Sequence, residues 1–157
     1  MFLHILKSLL LILFVLFTTE NAYAVRLKIA TLSPEGSMWM EKMRAGADMV
    51  AQKTGNRVTC KFYPGGVMGN DKTVLKKIRI GQLQGGAVVG GSLSQFFPAN
   101  QLYAQPLKLT SIKEVDYVRK HMDQYIIDGL NNAGFVTFGI IGGGFAYIMS
   151  QNPINTV

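Results

Sequence analysis

The stretch "YPGGVMGND", residues 63–71, decides how the rest of this 157-residue chain is read. Pro64 has no N–H to give a strand ladder, and Gly65-Gly66 permits positive φ. Gly69 turns the chain again, and Asn70 or Asp71 is suited to cap a helix. The stretch is therefore a strand-to-helix corner. Upstream, "RVTCKFYP" sets Val58, Cys60 and Phe62 on one face of a strand, where Cys60 reads as a small buried hydrophobe. Downstream, Val74, Leu75 and Ile78 give a helix to about Ile80 its apolar side, with Lys76, Lys77 and Arg79 as its wet face.

The same alternation extends outward. "VRLKIATL" sets Val25, Leu27 and Ile29 against Arg26, Lys28 and Ala30, a half-buried strand that "SPEGS" ends. Ser37 caps a helix with Met40, Met43, Ala47 and Val50 at helical spacing, and Gly55 stops it. After Gly81, Ala87-Val88-Val89 reads as a short buried strand between glycine pairs. Gly90-Gly91-Ser92 then offers either amides for an anion at a helix start or simple close packing. Neither a P-loop nor a dinucleotide fingerprint is present. "SIKEVDYVRKHMDQY" predicts a helix with a capping box from Ser111 to Glu114 and an apolar face of Val115, Val118 and Met122. A second helical stretch carries Ile126, Ile127 and Leu130 to Gly134. "FVTFGII" (135–141) predicts a strand, "GGG" breaks it, and "FAYIMS" (145–150) is a further extended segment. The order β-α-β-α-β-loop-α-β-β predicts an α/β fold with a mainly parallel sheet flanked by helices.

Residues 1–24 read as a cleaved secretory signal. Lys7 precedes an apolar run from Leu9 to Phe17, too short for the ~20 residues a membrane span needs, and Ala22-Tyr23-Ala24 supplies the cleavage pattern. The mature chain would begin at Val25 and be exported, with no later segment able to span a bilayer. Removing Lys7 and Glu20 leaves the net charge at +7. That balance points weakly to an anionic ligand; with no run of five basic residues, nucleic acid is not implied. Cys60 is the single cysteine, so stability must come from the core rather than an intrachain disulfide. No catalytic residue, metal site or cofactor is expected. His121, the only histidine after the signal, sits beside Lys120 on a helix, and three or four zinc ligands cannot be assembled.

Taken in order, "KIATLSPEGSMWMEKM", Lys53-Thr54-Gly55, Tyr63-Pro64-Gly65-Gly66 with Gly69 and Asp71, Ile80-Gly81-Gln82-Leu83, Phe97-Pro98, and Ser150 to Ile154 make the chain resemble a known family. It is similar to the DctP-type extracytoplasmic solute receptors of tripartite ATP-independent periplasmic (TRAP) transporters. The resemblance covers nearly all of residues 27–154. It implies the first lobe of a two-lobed, periplasmic-binding-protein-like fold, with residues 25–150 forming that lobe and 151–157 starting the crossing to a second. It implies capture of a small organic acid, delivery to a small and a large membrane subunit, and no enzymatic turnover.

No family ligand residue matches outright. The positional candidates for ligand binding are Ser33, Pro34 and Glu35 after the first strand, Gly90, Gly91 and Ser92 after the third, and Phe145 and Tyr147. Plain turn and core roles stand beside these. The arginine that grips a ligand carboxylate in such receptors would lie beyond Val157, and Ala146 stands where many members carry another. A hydrophobic ligand is the alternative within the family, and a basic secreted interaction module is the alternative outside it.

Overall fold

The computed structural model describes residues 24–145 and residue 151. The signal segment, Tyr147, and the extended segment expected after Phe145 lie outside these. The described chain divides into two compact units, Met1–Val88 and Val89–Val157.

The first unit is built on β1 (Val25–Thr31), α1 (Met38–Lys53), β2 (Val58–Tyr63), α2 (Asp71–Arg79) and β3 (Gly85–Ala87). Its three strands are parallel, in the order β2-β1-β3. The register sets Val25 against Val58 and Ala30 against Tyr63, and on the other edge Ile29 against Gly85. A parallel pair cannot be closed by a tight hairpin, so each helix serves as the crossover between two strands.

Both helices begin where the sequence predicts. The Ser37 side chain accepts from the Met40 amide, and the Asn70 side chain accepts from Thr73. α1 buries Met40 fully, while Met43 and Ala47 are half-buried. Val50 does not join them and is 42% exposed.

Two expectations for the sheet need correction. Ala30 is not on a wet face. It is buried with Val74 and Leu83 at the centre of the core, and Tyr63, Met68, Ile78 and Val88 pack around them. A central parallel strand is covered on both faces, so strict alternation misassigns its far side. The third strand is Gly85–Ala87 rather than 87–89, and Val89 is exposed. Gly86 explains the shift. A Cβ there would stand 2.8 Å from Val74 Cγ1 and 3.3 Å from the Ala30 carbonyl oxygen. Only glycine lets α2 lie this close to the strand.

The second unit contains two 3₁₀ segments, Gly90–Leu93 and Pro98–Ala104, and one long helix, α3 (Ile112–Asn132). The predicted capping box is complete. Ser111 Oγ accepts from the Glu114 amide, and the Glu114 carboxylate accepts from the Ser111 amide. The two predicted helices are one, because Val115, Val118, Met122, Ile126 and Leu130 keep a single face in register. Ile126 and Leu130 are its fully buried members. Phe97 lies on this helix at Gly129, where a Cβ would meet the ring at 2.4 Å, and its ring centroid is 5.3 Å from that of Tyr125.

Among the described residues, the strand expected at 135–141 does not form and no strand pairs with the segment, although its burial alternates from Phe135 to Phe138. Phe135 and Thr137 are half-buried, whereas Val136 and Phe138 are 80% and 100% exposed. Its apolar residues forecast burial; pairing needs a neighbouring strand as well.

Candidate functional site

Because β1, β2 and β3 are parallel, their carboxyl ends at Thr31, Tyr63 and Ala87 lie along one edge of the sheet. In open α/β sheets ligands bind outside that edge, where the strand order changes direction. Here β1 is flanked by β2 and β3: the chain passes from β1 to β2 on one side and then crosses from β2 to β3 on the other. Ser33, Pro34 and Glu35 stand in the loop that leaves β1.

That loop is held by the corner of residues 63–71. Gly65 N–H donates to the Ser33 carbonyl at 2.9 Å, and Gly66 N–H donates to the Thr31 carbonyl at 3.1 Å. Both glycines have positive φ, +64° and +75°. A Cβ on Gly66 would also press on Leu32 Cδ2 at 3.2 Å. Within the first loop, the Thr31 hydroxyl accepts from Ser33 N–H at 3.1 Å, and Ser37 N–H donates to the Pro34 carbonyl. The Ser33 backbone is thereby fixed through both its amide and its carbonyl.

Glu35 has a partner that local sequence patterns do not reveal. Arg44, on α1, grips its carboxylate with two bonds, Nε to Oε1 at 3.1 Å and Nη2 to Oε2 at 2.6 Å. Those bonds hold the Glu35 carboxyl below the usual range and raise the Arg44 guanidinium. The pair is open to water, with side-chain exposures of 58% for Glu35 and 48% for Arg44. Arg44 also lies over the Phe62 ring at 5.7 Å. A single candidate residue is thus one half of a fork–fork ion pair.

In the second unit, Gly90, Gly91 and Ser92 form the first 3₁₀ turn, with the Ser92 amide donating to Val89 O at 2.9 Å. Added Cβ atoms at Gly90 and Gly91 would meet neighbours only at 3.8 and 3.7 Å, which is ordinary contact. Phe145 is 37% exposed and follows Gly144, whose φ is +102°.

This unit also holds a side-chain network of which local sequence shows only the i,i+4 pair of Arg119 and Asp123; Tyr103 and Ile140 join it from 20 and 21 residues away. Tyr103 OH donates to Asp123 Oδ1 at 2.6 Å, Arg119 Nε donates to Asp123 Oδ2 at 3.0 Å, and Arg119 Nη2 donates to the Ile140 carbonyl at 2.7 Å. Partial burial and then the Asp123 carboxylate push the Tyr103 hydroxyl well above the usual phenol range. His121 is exposed, with Nδ1 2.7 Å from the Tyr117 carbonyl. Among the described residues no group of His, Cys, Asp or Glu side chains converges as a metal site. No helix among them is long and apolar enough to cross a membrane.

Comparison with solved structures places this fold. A TRAP periplasmic solute-binding protein from Ochrobactrum anthropi matches with a TM-score of 0.63 and 24% identity, over 73% of this chain and 36% of that one. One from Pseudomonas putida F1, solved with D-glucuronate, matches with a TM-score of 0.63 and 22% identity, over 69% and 36%. An extracytoplasmic solute receptor from Bordetella pertussis that binds pyroglutamic acid gives 0.63 and 19%, over 71% and 37%. The match thus spans little more than a third of each relative's length. Residues 29–157 match the model of bacterial extracellular solute-binding protein, family 7, or DctP, and the chain belongs to that family.

Proposed function

We propose that this chain is the receptor component of a TRAP uptake system, taking up a small organic acid in the periplasm and passing it to small and large membrane subunits. Residues 1–24 act as the export signal, 25–150 as the first ligand-binding lobe, and 151–157 as the start of the crossing to a second. Binding and release, not turnover, is the activity. The observation that carries this reading is the lacing of the β1 loop by Gly65 and Gly66 at the carboxyl edge of the sheet. It anchors the start of that loop, at Thr31 and Ser33, and so supports reading Ser33, Pro34 and Glu35 as one wall of a site. Solved relatives hold D-glucuronate, D-erythronate and pyroglutamic acid, which supports a carboxylate ligand.

Gly90, Gly91, Ser92, Phe145 and Tyr147 are proposed as further ligand contacts. An acid with an apolar body is the second reading, favoured by the aromatic ring that Phe145 exposes. Calorimetric titration of the protein at its native length with D-glucuronate, pyroglutamate and octanoate tests both. One-to-one binding of either polar acid supports the first, and binding of octanoate alone supports the second. Salt-sensitive binding to anionic polymer with no acid bound would replace both with a basic interaction module.

A further inference from the structure

The segment 135–141 raises a mechanical question. It forms no strand among the described residues, yet it follows a definite course. Near its start, Phe135 N–H donates to Leu130 O at 3.1 Å and Thr137 N–H to Asn131 Oδ1 at 3.0 Å. The Phe135 ring also rests 4.9 Å from Phe96. Among the described residues no further backbone bond holds the segment until Ile140. There the backbone is held by Arg119, 21 residues earlier. Gly142, Gly143 and Gly144 follow, and a Cβ on any of them would meet nothing within 4 Å.

Arg119 can hold Ile140 because its own direction is set. An isolated i,i+4 ion pair on a helix surface is a weak and mobile contact. Here the Asp123 carboxylate takes Arg119 Nε on one oxygen and the Tyr103 hydroxyl on the other, so neither oxygen is left to rotate toward a different partner. The rigid guanidinium fork then aims Nη2 at the Ile140 carbonyl. Lysine, a single flexible point charge, has no such fork to serve both acceptors. Tyr103 lies in the Pro98–Ala104 turn, so three separate pieces of chain meet in one network.

We propose that Arg119, Asp123 and Tyr103 form a latch that makes the segment 135–141 move as one body with α3 and the Pro98–Ala104 turn, leaving Gly142–Gly144 as the first pivot along the chain. Arg119 is a positioning residue in this arrangement: it acts on the direction in which the chain approaches Phe145. The latch stands whether or not the protein is a receptor.

Backbone 15N relaxation of the protein and its Arg119→Ala, Arg119→Lys and Tyr103→Phe variants tests it. Both Arg119 changes are expected to lower the order parameters at residues 138–141 from the rigid range, ~0.85, to ~0.6 or below, while the centre of α3 around Ile126 keeps its own. Tyr103→Phe should lower the same values by less. If Arg119→Ala fails to fold, Arg119→Lys, which keeps the charge and can keep the Asp123 pair, decides the matter. Wild-type order parameters at 138–141 in Arg119→Lys overturn the latch, as does a loss spread evenly along α3. Limited proteolysis of the wild type should cut at Gly142–Gly144, and cleavage first within 135–141 would also overturn it.

Discussion

Gly65 N–H and the Ser33 carbonyl, 2.9 Å apart, join the loop after β2 to the loop after β1. The bond needs φ of +64° at Gly65, and its neighbour at Gly66 needs +75°. Alanine at either position carries a penalty of roughly 1–2 kcal/mol for entering the left-handed region. Gly66→Ala should lose more than Gly65→Ala, since its new methyl also meets Leu32. Urea denaturation of the two variants checks the order.

Gly86→Ala should destabilise the first unit by about 1–3 kcal/mol, the usual range for overpacking. Its Cβ would overlap Val74 Cγ1, at 2.8 Å. Val74→Ala removes that atom, so the double variant should lose less than the sum of the two single changes. A double-mutant cycle reads the coupling, and additive losses would show that the Ala30 carbonyl is the true obstacle.

Gly129→Ala should act in the second unit through the Phe97 ring, which stands 2.4 Å from the site of the new methyl. Tyr125, tilted against the same ring at 5.3 Å, should report it. The expected outcome is a changed tyrosine fluorescence and a loss of about 1–3 kcal/mol, partly recovered by Phe97→Leu.

The α3 cap should fail in acid. Glu114 accepts from the Thr110 amide first, and also from the Thr110 hydroxyl and the Ser111 amide, which holds its pKa below the usual value. A lowered carboxylate pKa contributes stability that is fully present above the unfolded value, about 4.3 for glutamate. That contribution fades as pH falls through the lower folded value. The difference in thermal midpoint between wild type and Glu114→Gln should therefore be largest near neutrality and shrink below about pH 4.

Glu35→Gln should leave the thermal midpoint nearly unchanged, because its ion pair with Arg44 is open to water. If the pair faces a ligand, the same change should alter acid affinity through the freed guanidinium. Parallel melting and titration experiments separate the two effects.

Much of this arrangement is legible in the residues. The capping box at Ser111 and Glu114, the Asn70 cap and the glycine corner are local, and local chemistry determines them. Ala30 escapes a period-two pattern because that pattern presumes one wet face. A break after Tyr125 suggests itself where two apolar patches are in truth one continuing helical face. At 135–141 the apolar residues favour burial, but they do not encode which strand will pair with them. Arg44 with Glu35, and Arg119 with Ile140, join positions too far apart for any local pattern to announce. Ser33, Pro34 and Glu35 can be located from the strand end alone, but the amide that holds the Ser33 carbonyl belongs to another loop and the guanidinium that holds Glu35 to a helix.

The place of β1 in the sheet has a consequence in time. It is the first strand of the described chain to emerge from a ribosome or translocase, and it is also the central one. One of its edges waits for residues 58–63 and the other for 85–87. Through that interval a strand of alternating apolar residues has two open edges, each able to recruit a neighbouring chain. Arg26, which meets the uncharged Thr59 on its own partner strand, would meet a like charge on a second copy in register, and so guards the strand until that partner arrives.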